Sequence, residues 1–177
     1  MDRVTDEAAV AAVRDLARTT AATLAGAGAR DEALAEYRPA RRVLLVERAS
    51  RMQPLGRVWR LGVVLLTPAG GLLATGSTTR AIEPGHPGHV ALSVEDRREH
   101  RAAAFRGPFA RGETVNYDAV PIELTPAALT AGSGPLLLVD GAVLVRWSAS
   151  LGPEAAVPFP PYLAERADLL LHPPQGA

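Results

Sequence analysis

The stretch Leu136-Leu137-Leu138-Val139-Asp140-Gly141-Ala142-Val143-Leu144-Val145 decides the class of fold. Two apolar runs flank Asp-Gly, the dipeptide suited to a type I′ turn because both central residues must take positive φ. The chain therefore folds back on itself here as an antiparallel hairpin. Its register puts Leu136, Leu138, Val143, Val145 and Trp147 on one face, which should be core. Arg146 falls with Leu137 and Leu144 on the other face, where a charge needs a partner such as Asp118 or Glu123.

A second hairpin lies upstream, between Val58 to Thr67 and Gly71 to Ile82. Pro68-Ala69-Gly70 joins them, with Pro presetting the first turn position and Gly supplying positive φ for a three-residue loop. If Thr67 lies opposite Gly71, then Val64 meets Ala74, Gly62 meets Gly76, Arg60 meets Thr78 and Val58 meets Arg80. Two facing glycines leave a dent in a sheet. Arg60, Gly62, Gly76, Thr78 and Arg80 together form a groove that suits a carboxylate or phosphate, because guanidinium offers paired planar donors and Thr78 adds a hydroxyl. The competing reading fills the dent from within, with the Ala-rich N-terminal helix packed over the glycines.

Outward from the hairpins the pattern turns helical. Thr5 reads as an N-cap followed by Asp6 and Glu7, and Val10, Val13, Ala17, Ala21 and Leu24 recur at helical spacing. Gly26 and Gly28 should end that helix. Residues 31–37 read as a short second helix stopped before Pro39, residues 41–47 as a first strand, and residues 48–56, with Pro54, as a loop. Ser93 and Asp96 resemble a capping box opening a charged helix to about Arg106. Residues 113–124 read as a strand that Pro121 places at an edge or a bend. Pro161 starts a last helix in which Leu163, Ala167, Leu170 and Leu171 share a face.

These elements predict an α+β fold, with a mainly antiparallel sheet of five to six strands and N-terminal, middle and C-terminal helices. The expected organisation is a single domain over residues 1–177, in which a helical segment, 1–37, packs on a sheet-containing body, 41–171. At 177 residues and 47% hydrophobic, the chain is long enough to bury a real core.

Composition removes several chemistries. There is no Cys, and all 19 basic residues are Arg, so there is no Lys. Thiolate nucleophiles, disulfides, cysteine-ligated zinc, Schiff bases and a P-loop lysine are thereby excluded. Met1-Asp2-Arg3-Val4 is not the start of a secretory signal, and no apolar run approaches the ~20 residues of a membrane span, so the expectation is a cytoplasmic protein without membrane contact. The choice of Arg over Lys, with abundant Ala, Gly and Pro, reads as the coding bias of a GC-rich genome.

Charge is nonetheless uneven. Residues 38–60 carry seven Arg against Glu47 alone, a local +6 balanced by −6 elsewhere in a chain of zero net charge. Such a stripe can hold polyanions in a salt-dependent way, although Trp59 is its one aromatic residue and a stacking platform for single-stranded nucleic acid is missing. The alternative is intramolecular, since residues 1–37 hold seven acids and four Arg. Glu83, His86 and His89 are weak candidate ligands for zinc or nickel, in a Gly- and Pro-rich turn with no fourth partner in view. His100 and His172 read as surface residues.

The segments Arg57 to Leu66, Ala102 to Gly107, Val145 to Ser148 and Tyr162 to Arg166 resemble a family of small uncharacterised proteins from high-GC bacteria, over most of residues 40–177. Some members carry a glutaminase label, which implies amide hydrolysis but brings no catalytic residues to transfer. The usual machinery for it is missing from this sequence. No Ser-x-x-Lys, nucleophilic Cys or Thr-Gly-Gly-Thr occurs, and no serine sits in Gly-x-Ser-x-Gly. The expected function is a non-catalytic domain without a cofactor that binds a partner protein or a small anion. A glutaminase-like hydrolase and a polyanion binder using Arg38 to Arg60 are the alternatives.

Overall fold

The computed structural model describes residues 3–43, 46–83, 92–148 and 150–173. The chain is α+β, and its described residues form four α-helices, a mixed seven-stranded sheet, a three-stranded sheet and a small two-stranded ribbon. In chain order these are α1 (Arg3–Gly26), β1 (Glu32–Arg38), β2 (Arg41–Val43), β3 (Val46–Arg48), β4 (Arg51–Leu61), β5 (Val64–Leu66), β6 (Leu72–Ala74) and β7 (Ser77–Arg80). There follow α2 (Leu92–Phe105), β8 (Thr114–Tyr117), β9 (Val120–Pro121), α3 (Pro126–Ala131), β10 (Leu136–Val139), β11 (Ala142–Val145), β12 (Val157–Pro158) and α4 (Phe159–Leu171). Two compact units emerge, one drawn from residues 1–31, 59–75 and 120–177 and the other from 32–58 and 76–119.

In the first unit α1 buries the stripe read from its sequence, with Val10, Val13, Ala17, Ala21 and Leu24 all at most 2% exposed. They share a core with Trp59, Leu61, Val64, Leu66 and, from α4, Phe159 and Leu163. The helix starts before Thr5, which lies in its first turn instead of capping it. It ends in a Schellman motif, in which Ala29 N–H donates to Leu24 O, Gly28 N–H donates to Ala25 O, and Gly28 sits at φ +63°. The Asp140-Gly141 hairpin forms in the expected register, Leu136↔Val145 through Val139↔Ala142, with both turn residues at positive φ. The Pro68-Ala69-Gly70 loop also closes as expected, through Thr67 N–H to Gly71 O and a Gly70 φ of +82°.

Other expectations are corrected. Trp147 is 54% exposed, because β11 ends at Val145 and the alternation of faces ends with it. Arg146 is 7% exposed, yet among the described residues it meets no carboxylate. Its guanidinium donates to the carbonyls of Gly132, Gly134 and Leu151, which supply the dipoles that a buried charge requires.

In the second unit Glu32–Arg38 is a strand, where a helix was expected over residues 31–37. β1 pairs antiparallel with β4 from Glu32↔Val58 to Arg38↔Arg51 and parallel with β8 at Ala33↔Val115, which makes the sheet mixed. Strand partners lie on both edges, and Ala33, Leu34 and Ala35 are buried in succession. Packing there outweighs the helical propensity of Glu-Ala-Leu-Ala-Glu. The single strand expected over 41–47 is instead the β2–β3 ribbon, closing at Val43↔Val46. The expected loop over 48–56 is the first half of the eleven-residue β4. Pro54 and Gly56 flank a bulge there, as pairing jumps from Leu34↔Gly56 to Ala35↔Pro54 and leaves Leu55 unpaired and 59% exposed. Ala103 and Ala104 of α2 bury against Ala33, Ala35, Met52 and Val115, small side chains that let a helix lie close to a sheet.

Candidate functional site

The glycine groove foreseen from the sequence does not form. The register is as expected, Val64↔Ala74 and Leu66↔Leu72, but the strand carrying it breaks at Gly62-Val63. These two residues make a turn closed by Leu61↔Val64, with positive φ at Gly62 alone (+66°), as a type II′ turn requires. Arg60 then pairs with Leu65, Thr78 with Asn116 and Arg80 with Thr114. Both glycine faces are filled from within. Tyr162 of α4 packs its hydroxyl where a Gly62 Cβ would stand, while the main-chain oxygens of Tyr117 and Asp118 occupy the space at Gly76. The cover over Gly62 comes from the C-terminal helix, not from the N-terminal one.

The cation-rich segment supplies a different site, within the second unit. Arg38 closes β1 and lies directly opposite Arg51, the first residue of β4. Arg41 opens β2 and lies directly opposite Arg48, the last residue of β3. Directly opposed residues on paired strands project to the same side, so each ladder brings two guanidiniums together. Two-residue connectors, Pro39-Ala40 and Ala49-Ser50, join the pairs, and Pro39 holds Arg38 extended. All four arginines line one cleft of 920 Å³, with Gln53 and the rigid walls of Pro54 and Pro108. Among the described residues no carboxylate lines it, although Arg38 also pairs with Glu36 at 2.7 Å near the surface.

A smaller recess of 420 Å³ shares Ala49 with that cleft and is lined by Ser50, Glu99 and Arg106. Ser50 is 1% exposed. Arg106 grips it twice, donating from Nε to the Ser50 carbonyl at 2.7 Å and from Nη2 to Oγ at 2.6 Å. This grip fixes the connector between Arg48 and Arg51. Tyr37 donates its hydroxyl to Glu99 at 3.4 Å, a long contact. Next along α2, His100 lies between two rings, 4.5 Å from Tyr37 edge-on and 4.8 Å from Tyr117 stacked. It is half-buried, a correction to its reading as a surface residue. Burial raises the Tyr37 hydroxyl above its ordinary pKa, with the Glu99 carboxylate adding to the rise; burial likewise raises Tyr117, helped by Asp118.

The first unit has its own cavity, of 520 Å³, lined by Ile122, Leu129, Leu136 and the exposed Trp147, with Glu123 as its charged residue. That lining is wrong in sign for an anion. Glu83 is exposed beyond β7, and His86 and His89 lie outside the described residues. Among the described residues no three His, Asp or Glu side chains gather in a way that could hold a metal ion. His172 is exposed and sits 2.9 Å from Asp168 on the last turn of α4. No described helix is long and apolar enough to cross a membrane.

Comparison with family models, curated proteins and solved structures gives no match. The amide-hydrolase implication of the resemblance therefore rests on the sequence segments alone.

Proposed function

We propose that this chain is a binding domain for a multiply charged anion, held in the cleft of Arg38, Arg41, Arg48 and Arg51. One observation carries the reading: arginine is set directly across from arginine on two successive ladders, and both pairs open into the same cleft. Like charges directly opposite one another weaken a sheet, at a cost on the order of a few tenths of a kcal/mol per pair. Folding alone gains nothing from that arrangement, whereas a phosphate between two guanidiniums turns the repulsion into paired, charge-assisted hydrogen bonds. A cleft with four cations and no aromatic lining recognises charge and spacing, not bases.

The candidate anion site thus lies at the strand ends and not at the glycine groove. The test is titration of the purified chain with fluorescently labelled inorganic polyphosphate across a series of salt concentrations. Binding should weaken with salt at a log–log slope of about −0.7 or steeper per phosphate engaged. Arg41→Ala with Arg48→Ala should lower affinity at least tenfold, and Arg60→Ala with Arg80→Ala should change it less than twofold. Salt-insensitive binding, or equal losses in the two double variants, would remove the cleft from the function. Ammonia release from glutamine by the same preparation would point instead to the hydrolase that the resemblance implies.

A further inference from the structure

We propose that the recess behind Ala49 is a sugar subsite, so that the anion held in the arginine cleft is a sugar-borne polyphosphate of the nucleoside triphosphate class. This rests on the anion-binding reading above and adds the identity of the group that carries the phosphates.

The change of sign at Ala49 is the starting point. On one side the cleft presents four guanidiniums; on the other, the recess presents Glu99 together with Arg106. A phosphate advancing past Ala49 would meet a carboxylate and be repelled. Whatever enters the recess must donate hydrogen bonds to Glu99 while accepting from Arg106. Hydroxyl groups do both, since each carries one donor and two acceptor positions. Neighbouring sugar hydroxyls attached to a polyphosphate fit a carboxylate and a guanidinium side by side, next to a cationic cleft.

The recess is built before any ligand arrives. Ser50 engages Nε and Nη2 of Arg106, so the guanidinium cannot swing away, and its Nη1 has no hydrogen-bond partner among the described residues. Glu99 accepts only the long bond from Tyr37 in the described structure, which leaves most of its four lone-pair positions for a ligand. The continuous run Arg48-Ala49-Ser50-Arg51 contributes to both cavities. The two cavities adjoin at Ala49, where a ligand held in both would cross.

Calorimetric titration of the full chain with inorganic tripolyphosphate, adenosine triphosphate and 2′,3′-dideoxyadenosine triphosphate tests this. Tripolyphosphate carries at least as much charge as the nucleotide, so tighter binding of the nucleotide cannot come from charge. The expected order is adenosine triphosphate about tenfold tighter than tripolyphosphate, with the dideoxy form within twofold of tripolyphosphate, as loss of hydrogen bonds to a charged partner implies. Glu99→Ala should abolish the nucleotide preference and leave tripolyphosphate binding unchanged or stronger, which also reports that the variant is folded. Equal affinities for the nucleotide and its dideoxy form, or parallel losses for all three ligands in Glu99→Ala, would overturn the subsite. Binding of tripolyphosphate without any nucleotide increment removes the subsite alone; absence of binding by all three removes the anion reading as well.

Discussion

Gly62 illustrates how a single residue was half legible. Its need for positive φ is a turn signal, and the chain does turn there, but the same glycine also reads as an interruption inside a long strand. What distinguishes the two is Tyr162, a hundred positions away, whose hydroxyl accepts from Val63 N–H at 2.9 Å and donates to Leu61 O at 3.3 Å. No local pattern carries that contact. Gly62→Ala places a Cβ against the tyrosine hydroxyl in a left-handed backbone, and should lower stability by about 2 kcal/mol or more in urea unfolding. Tyr162→Phe should cost roughly 1–2 kcal/mol by leaving Val63 N–H without its acceptor. Arg146 marks a second case. That it needed partners was readable from its face of the hairpin, but that they are carbonyls was not, because Gly132 and Gly134 come from the turn after α3. Arg146→Ala should destabilise by about 3 kcal/mol, as expected when buried acceptors lose a charged donor. A loss under 1 kcal/mol would show that water replaces the guanidinium freely.

Among the elements, most of those carrying local signals were foreseen, α3 excepted, and those made by distant partners were not. α1, α2, α4 and the two loop-defined hairpins have prolines, periodic faces or turn dipeptides in their own sequence, although Thr5 and Ser93, read as caps, lie inside α1 and α2. β1 has none, and its strand state comes from β4 and β8. α3 was readable but overlooked: Thr125 caps it by accepting from Ala128 N–H at 3.2 Å, Pro126 opens it and Gly132 ends it at φ +65°. The Schellman end of α1 gives an element-scale prediction. Gly28→Ala should cost about 1 kcal/mol through its left-handed backbone, since nothing packs within 4 Å of the added methyl. Gly26→Ala, in the helix proper and equally unobstructed, should be neutral or stabilising by a similar amount. Paired thermal melts of the two variants check both signs.

At the scale of the whole molecule, the charge asymmetry of residues 38–60 was visible in the composition, but its arrangement was not. Seeing arginine opposite arginine requires knowing that Glu32–Arg38 is a strand and that Arg41–Val43 pairs with Val46–Arg48. Burial raises the hydroxyls of Tyr37 and Tyr117, both in the second unit, above the ordinary phenol value. A phenol whose folded pKa lies above its unfolded value of 10.0 stabilises the fold fully below pH 10 and loses that contribution as pH rises through the folded value. Stability should therefore decline above about pH 10 more gently in Tyr37→Phe than in the parent chain. Identical alkaline slopes would show that the Tyr37 shift has no energetic consequence.

The most direct test of a cleft kept cationic for a ligand is the thermal unfolding of Arg48→Glu beside the parent chain, each with and without inorganic tripolyphosphate. Facing Arg41, a glutamate converts a repelling pair into an attracting one, so the variant should melt at or above the parent temperature without ligand and fail to gain from tripolyphosphate, while the parent gains several degrees. A variant that melts well below the parent, or one that gains as much from tripolyphosphate as the parent does, would contradict it.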